Sequence, residues 1–241
     1  IVFEEAAASS KTMLINKDFL DIKLVDEVRY KKPIGIYWSQ VLMNMILGKL
    51  PFNEIWIYRL PSIMGIFISM ILIYFTIKKI ENHNVAFSSV FFLIICLLTI
   101  SETHQSKTDG LLFLFISTCN LIIYNILKTK ESKKNLIPIF WISLALGILV
   151  KGPLILIFTV LPLIFFSYLK KYNLFKKIWS FQCFILFLLI TMPWFIIINQ
   201  KSGGVFWHES VINDLFRKVR SGQESHGFPP GYYTVLIFIF F

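Results

Sequence analysis

Four groups of residues have types and spacing that could do chemistry, and all four fall beside long apolar runs. Glu4-Glu5 stands where Ile1-Val2-Phe3 ends and a helix begins. It reads either as an acidic first turn favoured by the helix dipole or as a carboxylate held ready as a general base. Tyr30-Lys31-Lys32-Pro33 sets two ammonium groups directly before a helix, suited to lipid headgroups at about 1 kcal/mol per lysine or, more sharply, to a phosphate clamp. Lys107-Thr108-Asp109-Gly110 opens an apolar run, where Asp109 serves as a cap or as an acidic site residue. Lys151-Gly152-Pro153 is a turn too short to be a free loop, with a cation at its tip: a snorkelling lysine or a phosphate ligand. A fifth block, from Gly203 through His208-Glu209, Asn213-Asp214 and Arg217-Lys218 to His226 and Tyr233, mixes His, Glu, Asp, Arg and Lys. That mixture suits an anionic substrate or a metal, although adjacent His208 and Glu209 point apart on a helix and make no metal site by spacing alone.

The elements that carry these groups belong in a bilayer. Of 241 residues, 56% are hydrophobic and 16% charged, with 25 Phe; a soluble domain is about 45–50% apolar and about 25% charged. That balance excludes a disordered chain, a disulfide scaffold and a soluble nucleotide-binding enzyme. With about 20 apolar residues needed per crossing, spans are expected at Ile55–Ile77, Val85–Ile100, Gly110–Leu127, Leu136–Val150, Leu154–Leu169 and Ile178–Ile198, and a seventh beginning near Tyr232. The net charge of +10 is carried by lysine. Lys78-Lys79, then Lys128, Lys130, Lys133 and Lys134, then Lys170, Lys171, Lys176 and Lys177 occupy alternate loops, which the positive-inside rule makes cytoplasmic. The four groups, with the block after Gln200, then share the outer face. Residues 1–54 form a first outer segment: a helix to about Ile15, an extended stretch at Phe19–Leu24, and an interfacial helix after Pro33 with Ile34, Tyr37, Trp38, Val41, Met45 and Leu47 on one face and Ser39, Gln40 and Asn44 beside it. Six spans over 55–199, an outer loop over 200–231 and a further span from 232 complete one module over 1–241.

Several functions lack their signatures. There is no G-x-x-x-x-G-K-[ST], no G-x-G-x-x-G and no D-x-D pair for a metal-bound nucleotide. Sugar chemistry here would therefore take a lipid-linked phosphate donor rather than a soluble nucleotide sugar. Cys96, Cys119 and Cys183 lie in apolar runs as inert thiols. The lysines flank spans, so the basic charge points to membrane lipid and topology, with no nucleic-acid partner.

In their order along the chain, Glu4-Glu5-Ala6, Lys32-Pro33 with Tyr37-Trp38, Arg59-Leu60-Pro61-Ser62, Lys107-Thr108-Asp109, Lys151-Gly152-Pro153, Pro193-Trp194 and the Phe206–Tyr233 block resemble the polyprenyl-phosphate-dependent glycosyltransferases, relatives of the lipid A aminoarabinose transferase and the protein O-mannosyltransferases. The stretches Arg29–Trp38 and Gln223–Tyr233 resemble an alphaproteobacterial branch. The resemblance implies an all-α, polytopic GT-C helical bundle of the inner membrane, with interfacial helices in a periplasmic loop. It implies inverting transfer of a sugar from an undecaprenyl-phosphate-linked donor to lipid A, another envelope glycan or a protein. The family's catalytic acid falls on Glu4, where an Asp is usual, with Glu5 as second candidate. Its phosphate-binding lysines fall on Lys32 and Lys151, with Lys31 beside the first, and its span-heading acid falls on Asp109. Arg217 and His226 fall in the substrate-binding loop. In the aminoarabinose transferase a Glu precedes the first lysine and serves a metal with a later His; here that Glu is Lys31, while His208 stands at about the histidine, so no cofactor is assigned beyond a possible divalent metal. The resemblance also makes the sequence an internal piece of a longer protein, with a span before Ile1 and more chain after Phe241. Two other readings are a transporter or flippase, which calls for inverted repeats and ionisable groups at mid-membrane, and a non-catalytic membrane scaffold.

Overall fold

The computed structural model describes residues 5–25, 27–30, 32–129, 134–169 and 173–210. Helix α1 (Glu5–Asn16) leads into a two-residue antiparallel hairpin, β1 (Lys23–Leu24) with β2 (Glu27–Val28), and then into α2 (Gly35–Leu47). The apolar helices follow: α3 (Ile55–Ile80), α4 (His83–Ile95) with α5 (Leu97–Thr103), α6 (Asp109–Thr129), α7 (Leu136–Lys151) and α8 (Leu154–Leu169). A short α9 (Leu174–Ile178), α10 (Phe181–Ser202) and the single turn α11 (Val205–Trp207) complete the order.

Each of the six expected spans falls on apolar helix, but among the described residues only three helices, or four if the bent pair counts as one span, are long enough to cross a membrane. Helices α3, α6 and α10 have 26, 21 and 22 residues, enough to cross hydrocarbon. The expected span Val85–Ile100 is instead a broken pair, α4 and α5, bent by 61° at Cys96. Helices α7 and α8 have 16 residues each and join at the Gly152-Pro153 turn. Gly152 sits at φ +70°, a conformation that side chains with a Cβ resist. The seventh expected span lies outside the described residues.

Large apolar side chains such as Phe67, Phe75, Phe92 and Phe165 point outward, as lipid-facing surface requires. Helix α6 is the centre: it packs against α3, α7 and α8. Between helices in lipid there is little hydrophobic drive, so close backbone approach and polar contacts do the work. At the α3–α6 crossing a Cβ on Gly65 would lie 2.5 Å from the Gly110 carbonyl oxygen, and one on Gly110 would lie 2.5 Å from that of Ser62. The Ser62 hydroxyl donates across the same crossing to the Lys107 carbonyl. At the opposite, lysine-rich end the Lys128 ammonium and the Tyr124 hydroxyl both bind the Glu81 carboxylate, which ties the ends of α3 and α6 together.

Helix α2 corrects one expectation. Its inward face is Tyr37, Gln40, Val41 and Asn44, whereas Trp38, Met45 and Leu47 turn outward. Gln40 goes inside because it finds partners there. The Ser10 hydroxyl donates to Gln40 Oε1 at 2.6 Å, and Gln40 Nε2 donates to the Tyr58 carbonyl at 3.0 Å, linking α1, α2 and α3. The extended stretch is likewise smaller than expected, a loop with only Lys23–Leu24 paired. The three cysteines are free and buried, as expected.

Gly65→Ala is expected to overpack the α3–α6 crossing and cost about 1–3 kcal/mol. A lowered unfolding midpoint of the purified protein in detergent checks this, against an unchanged midpoint for the outward-facing Phe67→Leu.

Candidate functional site

The residues singled out in the sequence converge at the end of the bundle opposite the Glu81–Lys128 pair. Helix α2 starts against the end of α7: a Cβ on Gly35 would lie 2.8 Å from the Leu149 carbonyl carbon, and one on Gly152 would lie 3.9 Å from Pro33 Cγ. Two motifs far apart in sequence, Lys32-Pro33 and Lys151-Gly152, thereby become neighbours. Helix α6 begins beside them. The Lys151 ammonium donates to the Asp109 carboxylate in an ion pair whose side chains keep 28% and 40% of their exposure, so both can still meet a ligand.

The segment before Lys32 is fixed by its own contacts. The Arg29 guanidinium binds the Glu5 carboxylate at the start of α1. The Tyr30 hydroxyl donates to Asp21 Oδ1 at 2.8 Å, and burial, followed by the Asp21 hydrogen bond, pushes its pKa well up, so it stays protonated. The Tyr30 ring meets Phe206 edge-on at 5.9 Å, and Phe206 meets Trp194 at 5.2 Å. This aromatic contact brings the chain that follows α10 to the Lys32 segment. Trp194 also donates from Nε1 to the Leu20 carbonyl at 3.2 Å.

Of the expected site residues, Asp109 and Lys151 are brought together, Lys32 precedes the Pro33 that lies beside Gly152, and Glu5 is bound by Arg29. His208 lies in the turn after α11 and is mostly exposed, its Nδ1 3.9 Å from Glu209 Oε1. Glu4, Lys31, Arg217 and His226 lie outside the described residues. No three His, Cys, Asp or Glu side chains converge in a metal-holding arrangement among the described residues. Sequence reasoning missed Arg29, which is one of only four arginines and sits beside the lysine pair, a signal that would have flagged it.

The fold is that of a polytopic membrane protein of the GT-C class. Residues 31–197 match the dolichyl-phosphate-mannose-protein mannosyltransferase family, and the chain belongs to that family. It is 23% identical over 236 residues to undecaprenyl phosphate-alpha-4-amino-4-deoxy-L-arabinose arabinosyl transferase 2 of Proteus mirabilis, covering 97% of this chain and 42% of the relative. To the corresponding arabinosyl transferase of Wigglesworthia glossinidia brevipalpis it is 30% identical over 183 residues, covering 74% of this chain and 31% of the relative. The chain thus spans about two fifths or less of the length of these curated relatives. The crystal structure of ArnT from Cupriavidus metallidurans bound to undecaprenyl phosphate superposes with a TM-score of 0.80 at 16% identity, over 88% of this chain and 39% of that one.

One electrostatic tie at this end is open to a direct test. Lys201, in the last turn of α10, donates to both Asp18 oxygens at 2.8 and 3.1 Å and holds that carboxyl below its usual value of 3.8. Because folding lowers this pKa, the stabilisation is complete above the unfolded value and disappears as pH falls through the lowered folded one. Both side chains are partly exposed, so the pair contributes only about 0.2–1 kcal/mol. Amide exchange at Leu20 and Asp21, whose N–H groups donate to Asp18 Oδ1, is expected, once corrected for intrinsic rates, to lose protection as the medium is acidified below about pH 4. Asp18→Asn should remove that dependence; an unchanged acid response in the variant would refute the assignment.

Proposed function

We propose that the protein is an inverting glycosyltransferase of the inner membrane, moving a sugar from an undecaprenyl-phosphate-linked donor to lipid A, or to another envelope glycan or protein, at the periplasmic face. The observation that carries this reading is the meeting of Lys32-Pro33 with Lys151-Gly152 at one membrane edge, with Asp109 paired to Lys151. Family membership and the names of the relatives support it. The orientation is supported by the alternation of the lysine-rich loops.

In this reading the acceptor hydroxyl oxygen bonds to the anomeric carbon from the side opposite the phosphate. The bond from that carbon to the phosphate oxygen breaks, and undecaprenyl phosphate leaves with the bonding pair. Negative charge therefore grows on the departing phosphate while the carbon passes through a cationic state. Lys32 and Lys151, and Lys31 as the preceding residue in sequence, stabilise that phosphate, where water is scarce and each charge acts strongly. Asp109 holds the Lys151 ammonium in place. Glu4 takes the acceptor proton, and Glu5, bound by Arg29, orients the start of α1. Arg217, His208 and His226 serve the sugar or acceptor from the loop after α10. A flippase would place its ionisable groups at mid-membrane; the charges of this site lie at the edge.

Lys151→Met in the complete protein, reconstituted in liposomes with an undecaprenyl-phosphate sugar, is expected to cut the transfer rate by roughly a hundredfold or more, the usual cost of removing a preorganised charge donor. Asp109→Asn should cost less, because it loosens the lysine without removing it. Full activity of Lys151→Met in this assay would overturn the proposed site.

A further inference from the structure

A cavity of about 210 Å³ opens beside the Lys151–Asp109 pair, between α3, the broken pair α4–α5, and α6. Asp109 and Gly110 form one part of its wall, Ile66 and Met70 of α3 and Phe113 of α6 supply apolar surface, and Glu102 of α5 brings a second carboxylate. Glu102 is there because the span breaks at Cys96: the 61° bend turns α5 out of the α4 direction and sets it against α3 and the start of α6. One of its oxygens, Oε2, is buried. The volume is below the roughly 300–1,000 Å³ of drug-sized sites, so the cavity suits one small ring rather than a chain.

The geometry points to Glu102 as the residue that recognises the transferred sugar, inside a pocket that receives that sugar while Lys151 holds the phosphate. This rests on the transferase reading above and adds to it the place and the contact for the sugar. An ester bond joins the sugar to the phosphate, so the ring must lie directly beside the phosphate ligand. The cavity that shares Asp109 with Lys151 satisfies that condition. A pyranose or furanose ring has hydroxyl edges and apolar C–H faces. Carboxylates accept hydrogen bonds from the hydroxyls at up to about four lone-pair sites each, and the Phe113 ring with Ile66 and Met70 covers the C–H face. Glu102 reads the sugar and makes no contact with the bond that breaks.

The test measures binding to the complete protein in nanodiscs. The probes are undecaprenyl phosphate alone and undecaprenyl phosphate carrying mannose, glucose, arabinose or 4-amino-4-deoxy-arabinose. The native protein is expected to bind at least one sugar-bearing probe more tightly than undecaprenyl phosphate. Glu102→Gln and Glu102→Ala should weaken that probe about tenfold or more, the usual loss for a charged hydrogen bond, while undecaprenyl phosphate binding stays within about twofold of native. Lys151→Met should weaken all the probes together. Equal weakening of sugar-bearing and sugar-free probes by both Glu102 variants would make Glu102 structural and overturn the inference, as would native binding that ignores the sugar. A native protein that binds none of the probes would sink the transferase reading and this inference with it.

Discussion

Backbone contact between α3 and α6 at Gly65 and Gly110 is the constraint on which the rest of this molecule depends. Lipid gives packed helices no hydrophobic reward over lipid-solvated ones, so two helices stay together only where small residues let their backbones touch and polar groups can bond across. The Ser62 hydroxyl bonded to the Lys107 carbonyl completes that crossing on one side. Once α6 is fixed there, its first residue, Asp109, has a fixed height at the membrane edge. The end of α7 can then place Lys151 against it.

The same economy governs α1 and α2. Ser10, Gln40 and Tyr58 form a chain of hydrogen bonds through three helices, buried where an apolar residue would have been the soluble choice. An unmet polar group is costly in such surroundings, so a network of this kind holds its members in register. The result is a platform, α1 packed on α2 and α2 on α3 and α7, that brings the Lys32-Pro33 motif to the end of α7 and carries the Glu5–Arg29 pair. Aromatic packing of Tyr30, Phe206 and Trp194 then anchors the last described segment to it.

The rigid and the irregular parts have separate roles. Long helices set the depth at which charges sit, and the breaks decide what those charges face. Gly152 at positive φ lets α7 end abruptly with its lysine at the tip. The bend at Cys96 turns what would be a plain span into a short helix carrying a carboxylate to a cavity wall. The basic ends lie far from these features and are held by ordinary exposed pairs such as Glu81 with Lys128, whose carboxyl is held below its usual range chiefly by that lysine's hydrogen bond.

Much of this was legible in the sequence. Apolar runs of span length, the alternation of lysine-rich loops and the Lys151-Gly152-Pro153 turn depend on local composition, and composition dictates which segments enter lipid whatever their neighbours do. The candidate lysines and Asp109 were visible for the same reason, since a charge at a membrane edge stands out against its surroundings. The sequence could not say that Lys151 would pair with Asp109, that Arg29 would take Glu5, or that Gln40 and Asn44 would form the inner face of α2. Each of these is a choice of partner across distant parts of the chain, and partners are selected by how helices cross. The apolar run at Val85–Ile100, expected as one straight span, is a bent pair of helices for a related reason: hydropathy averages over a break, and the bend at Cys96 is visible only once α5 is seen packed against α3 and α6. Local chemistry decided what enters the membrane and which groups stay at its edge; tertiary packing decided which of those groups meet.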